Sequence, residues 1–163
     1  MIIEPVNISE RSALLAVAVE TGLFAPTDAE ALLGNVLDQL YAGTLPDGHA
    51  ALTCRTRADG GVQGWTYFAP DQYAEGVWNV WWLGVIPEAH GTGVGGALLR
   101  AAESRALRAG ARIVVIETSS KESQARARRF YSKEGYAECG RVPDFYGEDD
   151  HKVIFSRRPR SSS

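Results

Sequence analysis

One stretch of this 163-residue chain, Gly76 to Ser119, constrains the fold more than any other. "GVWNVWWLGVIP" is an apolar, aromatic run of the kind that forms a strand buried on both faces. "GALLRAAESRALRAG" follows, with Ala97, Leu98, Ala101 and Ala102 spaced along one helical face. "ARIVVIETS" is a second buried strand. Strand, helix and strand make one βαβ unit, and such a crossover lays its two strands parallel. A chain with one such unit must therefore build a mixed sheet.

The segments on either side read as hairpins and helices. "IIEPVN" is a short edge strand, since Pro5 lacks a ladder donor. Ser9 is placed to cap the helix "ERSALLAVAVETGLF", which Gly22 can end. "TDAE" at Thr27–Glu30 has the form of a capping box opening a second helix, "ALLGNVLDQLYAG". "GHAALTCRTR" and "VQGWTYFAP" are strand-like around the turn "ADGG". Late in the chain, "ESQARARRFYSKEG" is a helix closed by Gly135. "YAECGRV" and "HKVIFSR" are strands flanking an acidic loop, "PDFYGEDD".

With 45% hydrophobic residues and no internal repeat or linker, residues 1–157 read as one domain. The basic tail 158–163 reads as a frayed end. A formal charge of −3 makes no electrostatic case for a nucleic-acid partner. Two cysteines, Cys54 and Cys139, imply no disulfide framework and a reducing compartment. The first residues lack the basic region of a signal peptide, and no apolar stretch is long enough to span a bilayer. The expectation is a cytoplasmic protein with no membrane partner.

Between the first strand and the helix lies "HGTGVGGALL", His90 to Leu99. Gly91, Gly93 and Gly96 satisfy the G-x-G-x-x-G spacing of a dinucleotide-binding turn, and Glu117 stands about 20 residues on, where a ribose-binding acid would be. Three features oppose that reading. "IPEAH" separates the strand from Gly91, whereas a dinucleotide turn starts at the strand end. The chain offers one βαβ unit where a doubly wound sheet needs several. The site also lies mid-chain behind an antiparallel hairpin. What remains is a loop of small residues opening a helix, with backbone N–H groups free to meet an anion such as a pyrophosphate. The alternative is a glycine-rich turn that merely packs closely.

"LGVIPEAHGTGVGGALL" resembles the acetyl-CoA motif of the GNAT superfamily of N-acetyltransferases, L-x-V-x-P-x-x-(Gln/Arg)-x-x-G-x-(Gly/Ala). Leu83, Val85, Pro87, Gly93 and Gly95 occupy its fixed positions, and His90 replaces the usual Gln or Arg. "QARARRFYSKEGY" resembles a second motif of the family, with Ala127, Phe130, Tyr131, Gly135 and Tyr136 in register and Gln124 in place of Asn. The resemblance implies an α+β, three-layer α/β/α fold. At its centre would be a mixed, mostly antiparallel twisted sheet of about seven strands, with four helices.

The same resemblance implies an acetyl-CoA-dependent enzyme in which an amine attacks the thioester directly, without a covalent acyl-enzyme. His90, Gly91, Thr92, Gly93, Val94, Gly95 and Gly96 would cradle the pyrophosphate. Leu83, Gly84 and Val85 would pair with the pantetheine arm like an added strand, and Gln124 would contact the cofactor. A primary alkylammonium is on the order of 0.1% neutral at pH 7, so a base is needed. Glu117 is the candidate, its alternative being a carboxylate that binds structure or anchors the acceptor's ammonium. Tyr131 stands at the family's general-acid position and would protonate the leaving thiolate, its alternative being an aromatic that packs the helix, a task more suited to Phe130.

Weaker candidates surround these. One of Trp81 and Trp82 must face away from the other, and Trp82 is a candidate for lining the acceptor pocket, although most of "WNVWW" suits a core. Asp144 and Tyr146, in an acidic segment that also holds Glu148, Asp149 and Asp150, are candidates for holding a cationic acceptor. His49, His90 and His151 stand at no metal-ligand spacing, so no metal is expected. The acceptor would be an amine of a small molecule or a protein, and the resemblance also admits a homodimer. A non-catalytic acyl-CoA-binding or sensing domain is the competing function.

Overall fold

The computed structural model describes residues 1–161. The strands are β1 (Ile2–Pro5), β2 (Ala50–Arg55), β3 (Gly64–Pro70), β4 (Val77–Val85), β5 (Ile113–Ser119), β6 (Ala137–Gly147) and β7 (Asp150–Arg157). The helices are α1 (Arg11–Glu20), α2 (26–42, with one π-helical turn), α3 (Val94–Arg108) and α4 (Ala125–Lys133). The strands form one sheet in the order β1-β2-β3-β4-β5-β7-β6. β4 and β5 are parallel, as the βαβ reading requires, while β1–β2, β2–β3, β5–β7 and β6–β7 are antiparallel. The mixed, mostly antiparallel seven-stranded sheet with four helices is the fold expected. Two compact units divide the chain: Met1–Ala69 with Trp82–Ala102, and Pro70–Trp81 with the chain from Glu103 onward.

In the first unit the core gathers Leu14, Val17 and Ala18 of α1, Leu33 and Leu37 of α2, and Ala51, Trp65, Tyr67, Ala69 and Trp82 of the strands. Trp65 satisfies its buried indole by donating to the Leu14 carbonyl at 2.9 Å. Pro5 does fall on an edge strand, where its missing N–H leaves no gap in the ladder. Gly22 ends α1 with φ of +79°.

Both helix starts differ from expectation. Asn7, not Ser9, makes the cap: its Oδ1 accepts from the Ser9 amide at 2.9 Å, and Glu10 completes a capping box around a 3₁₀ turn leading into α1. The second helix begins at Pro26, with Ala25 as an N-cap that makes no side-chain bond. Proline suits the first helical position because its N–H would be unpaired there in any case. Thr27 and Glu30 therefore already lie inside the helix, and Glu30 turns instead to Arg11, whose Nε also meets Asp38 at 2.8 Å.

In the second unit Val114 and Ile116 of β5 and Val153 and Phe155 of β7 make one fully buried face. α4 ends at Gly135, φ +90°, as expected. Glu103 of α3 is 1% exposed; the Tyr136 hydroxyl donates to it at 2.7 Å and Arg160 at 2.6 Å. Arg160 also pairs with Glu134 at 3.2 Å. Of the tail 158–163, Arg160 is thus engaged, and residues 162 and 163 lie outside the described residues.

The expected acidic loop is largely strand. β6 continues through Pro143, Asp144, Phe145 and Tyr146 to Gly147, and β7 resumes at Asp150. A register shift between Val142 and Gly147 accommodates Pro143, and Asp144 adopts φ of +55°. The Asp144 amide is satisfied by donating to His151 Nδ1 at 2.9 Å. Among the described residues no helix is long and apolar enough to cross a membrane.

Candidate active site

The end of β4 is shaped by glycines. A Cβ on Gly84 would lie 2.2 Å from the Trp82 ring, and one on Gly64 would lie 2.7 Å from the Gly84 carbonyl oxygen. Trp82 is 6% exposed, with its ring 5.8 Å from that of Trp65 and 5.6 Å from that of Phe24. This candidate for the acceptor pocket is therefore a core residue, and Trp81, 53% exposed, is the outward one of the pair.

The glycine loop follows a 3₁₀ turn at Pro87–Ala89. Gly91 has φ of +76° and Gly93 of +91°, and a Cβ on Gly91 would meet nothing within 4 Å. Gly91, Thr92 and Gly93 are exposed, and α3 starts at Val94, whose side chain is fully buried. The first-turn amides of Val94, Gly95 and Gly96 have no carbonyl one turn earlier inside the helix to bond. Open space at Gly91, small residues and the start of a 15-residue helix give the loop the chemistry by which backbone amides can meet an anion. Thr92 Oγ1 donates to the Ala89 carbonyl, and His90 Nε2 lies 3.2 Å from the Val85 carbonyl. Both side chains brace the loop through its own backbone.

α4 starts from a 3₁₀ turn, Glu122–Gln124, and Gln124 is half-buried there. Tyr131 is 8% exposed, stacked against Phe130 at 5.4 Å and tilted against Phe155 at 5.8 Å. Helical spacing separates Tyr131 from Phe130 by 100° but does not say which turns inward; packing against Phe155 turns Tyr131 in and leaves Phe130 half-buried. Burial pushes the Tyr131 phenol up to about 12, so it holds its proton throughout the neutral range.

Glu117 stands opposite Ile154 of β7, and Ser119 opposite Lys152. Alternation along a strand puts Glu117, Ser119, Asp150 and Lys152 on one face, and Ile116, Val153 and Phe155 on the other. Glu117 Oε2 is 3.0 Å from Lys152 Nζ, and that ammonium sits 3.6 Å from the centroid of the Phe145 ring. Ser119 Oγ donates to the Asp150 carboxylate, with Lys121 Nζ 3.7 Å away. Tyr146 packs edge-on to Phe145 at 5.0 Å; burial, and then the charges of Glu117 and Asp150, raise its phenol above the ordinary value.

The structure thus brings Glu117 and Tyr146 into one neighbourhood. Asp144 instead caps the Asp149 amide at 2.8 Å, and Tyr131 contacts the opposite face of β7. Lys152 escaped the sequence reading, because nothing in the spacing of "HKVIFSR" says which carboxylate of another strand its ammonium meets. Two clefts of about 300 and 350 Å³ open around Arg112, at the end of β5 away from Glu117, and include none of the expected site residues. Among the described residues no three His, Cys, Asp or Glu side chains are grouped to hold a metal.

A family model described as an acetyltransferase (GNAT) domain matches residues 50–138. A GNAT-family structure from Desulfovibrio desulfuricans is 25% identical with a TM-score of 0.87, over 98% of this chain and 99% of that one. An aminoglycoside 6'-N-acetyltransferase complexed with coenzyme A is 16% identical, TM-score 0.78, over 100% and 99%. A Salmonella typhimurium protein solved with acetyl-CoA is 16% identical, TM-score 0.73, over 100% and 96%. No curated protein sequence matches significantly.

Proposed function

We propose, from the premise that this chain belongs to the acetyltransferase (GNAT) family, that it transfers acetyl from acetyl-CoA to a primary amine by direct attack in a ternary complex. The observation that carries this is the glycine turn at the start of α3, with Gly91 and Gly93 at positive φ and open space where a Gly91 side chain would stand. Two similar structures were solved with coenzyme A or acetyl-CoA, which supports the same donor here.

When bound, acetyl-CoA supplies an activated thioester. The loop from His90 to Gly96 would hold the pyrophosphate through main-chain N–H groups and the helix dipole. Leu83, Gly84 and Val85 would offer backbone groups to the pantetheine arm, with Gln124 as a further contact. The parallel ladder of β4 and β5 runs from Val77↔Ile113 to Val80↔Ile116, and β5 continues past it through Glu117. A main-chain N–H near Leu83 or Gly84 would stabilise the charge that builds on the carbonyl oxygen, an effect typically worth about 3 kcal/mol.

Glu117 receives the acceptor's ammonium and takes its proton, directly or through water, as the new N–C bond forms. Tyr131 donates its proton to the thiolate as the C–S bond breaks. Glu117 and the Phe155 contact of Tyr131 lie on opposite faces of the β5–β7 pair, so in this reading the amine enters from one face and the thiolate is protonated from the other. A phenol near 12 is a reluctant donor but is always loaded at neutral pH, and the same dry surroundings also make a thiolate more basic.

Release of free CoA thiol from acetyl-CoA across a panel of amines tests this, with Tyr131→Phe beside the wild type. Acceptor-dependent release that falls at least tenfold in the variant, with CoA affinity unchanged, is the expected result. Acetyl-CoA binding without turnover on any amine would favour the non-catalytic binding domain. Failure to bind CoA would overturn the reading of the glycine loop.

A further inference from the structure

We propose that the acceptor is a zwitterion, a primary amine with a carboxylate a few ångströms away, as in a free α-amino acid. This rests on the reading of Glu117 as the carboxylate that receives the acceptor's ammonium. In the structure an ammonium already occupies that place. Lys152 Nζ is 3.0 Å from Glu117 Oε2 and 3.6 Å above the Phe145 ring, the two partners by which a protein site takes up a primary ammonium. An incoming amine must therefore displace the lysine or share its carboxylate.

The surroundings decide what a displaced Lys152 can turn to. Its side chain is only 15% exposed, so water cannot fully replace the lost partner. The neighbouring carboxylates are committed: Asp150 to Ser119 and Lys121, and Asp144 to the Asp149 amide near His151. A half-buried ammonium left without a carboxylate is unfavourable, since only part of its lost partner is replaced by water. A simple or multiply charged cation entering at Glu117 would create that situation and add like-charge repulsion. A zwitterion avoids it by exchange, its ammonium going to Glu117 and its carboxylate to Lys152, so one ion pair becomes two. Phe145 and Tyr146, 53% and 47% exposed, offer aromatic surface to the acceptor's own side chain.

The test compares each of the common amino acids with its carboxamide and its decarboxylated amine as acceptors, in wild type, Lys152→Arg and Lys152→Met. For the preferred side chain the wild type should favour the amino acid over its amide and amine by about 30-fold or more in kcat/KM, mostly through KM. Lys152→Arg should keep a preference of the same sign, and Lys152→Met should bring the ratio close to one while acetyl-CoA still binds. Amides or plain amines used as well as amino acids by the wild type would overturn the inference alone. So would a ratio that survives in Lys152→Met. Turnover on no amine at all would overturn the transferase reading, and this inference with it.

Discussion

The glycine loop and the Glu117–Lys152 face are built on opposite plans. In the proposed reading the loop works by leaving side chains out: its chemistry would be backbone amide, and what the sequence supplies is positive φ at Gly91 and Gly93 and open space at Gly91. The face works by adding side chains: Glu117 from β5, Phe145 and Tyr146 from β6, and Asp150 and Lys152 from β7 meet only once the sheet has formed. A site made of main chain is written in consecutive residues, and the proposed reading expects it to tolerate His90. A site made of side chains is written across distant segments, and one exchange alters its charge.

The largest expected effect breaks the loop. Gly93→Val places a β-branched residue at φ +91° in the cradle, where the backbone strain is joined by loss of the anion's room. CoA affinity measured by calorimetry should fall about 100-fold while the circular dichroism spectrum stays native, a change of about 2.7 kcal/mol. Unchanged affinity would remove the loop from the cofactor site.

A smaller effect probes how far the second unit depends on distant side chains. Arg160→Ala leaves the Glu103 carboxylate, 1% exposed, with the Tyr136 hydroxyl but without its guanidinium. Arg160 is itself 29% exposed, so water offsets part of the loss, and destabilisation of about 1–3 kcal/mol is expected from urea unfolding. Glu103→Gln in the same background should recover part of it. If Arg160→Ala unfolds at the wild-type midpoint, the tail plays no part in holding that carboxylate.

The smallest effect on stability at neutral pH is that of the Tyr131 phenol, whose ionisation lowers stability only in alkali. Unfolded, it ionises near pH 10; folded, at about 12. Its contribution is fully present below pH 10 and is lost as pH rises from about 10 to 12, at up to about 1.4 kcal/mol per pH unit. Tyr131→Phe should therefore show a shallower fall of stability with pH in that window than the wild type. Tyr136, also raised by burial and by its bond to Glu103, titrates in both proteins and leaves the difference to Tyr131. Equal slopes would mean that the phenol is not buried in solution.

Where sequence and structure agree, the interactions are local. The βαβ unit, the turn between β2 and β3, the ends of α1 at Gly22 and α4 at Gly135, and Pro5 at an edge each depend on a few neighbouring residues. Where they part, a partner from elsewhere in the chain took over. Thr27 and Glu30 have capping-box spacing, but Pro26 starts the helix earlier and Arg11 draws Glu30 away. "PDFYGEDD" has the composition of a loop, yet pairing with β7 and the bond from the Asp144 amide to His151 extend it as strand.

By itself the sequence determined the parallel strand pair, the small-residue turn before α3 and the family likeness. Each of these rests on backbone preference and spacing, which act between residues near in the chain. Tertiary structure alone decided that Trp82 turns inward and Trp81 out, that Tyr131 rather than Phe130 is the more deeply buried, and that Glu117 faces an ammonium. Those outcomes depend on which side of a strand or helix finds an apolar neighbour or an opposite charge. That neighbour comes from a distant segment, through packing and Coulomb attraction that spacing along the chain does not encode.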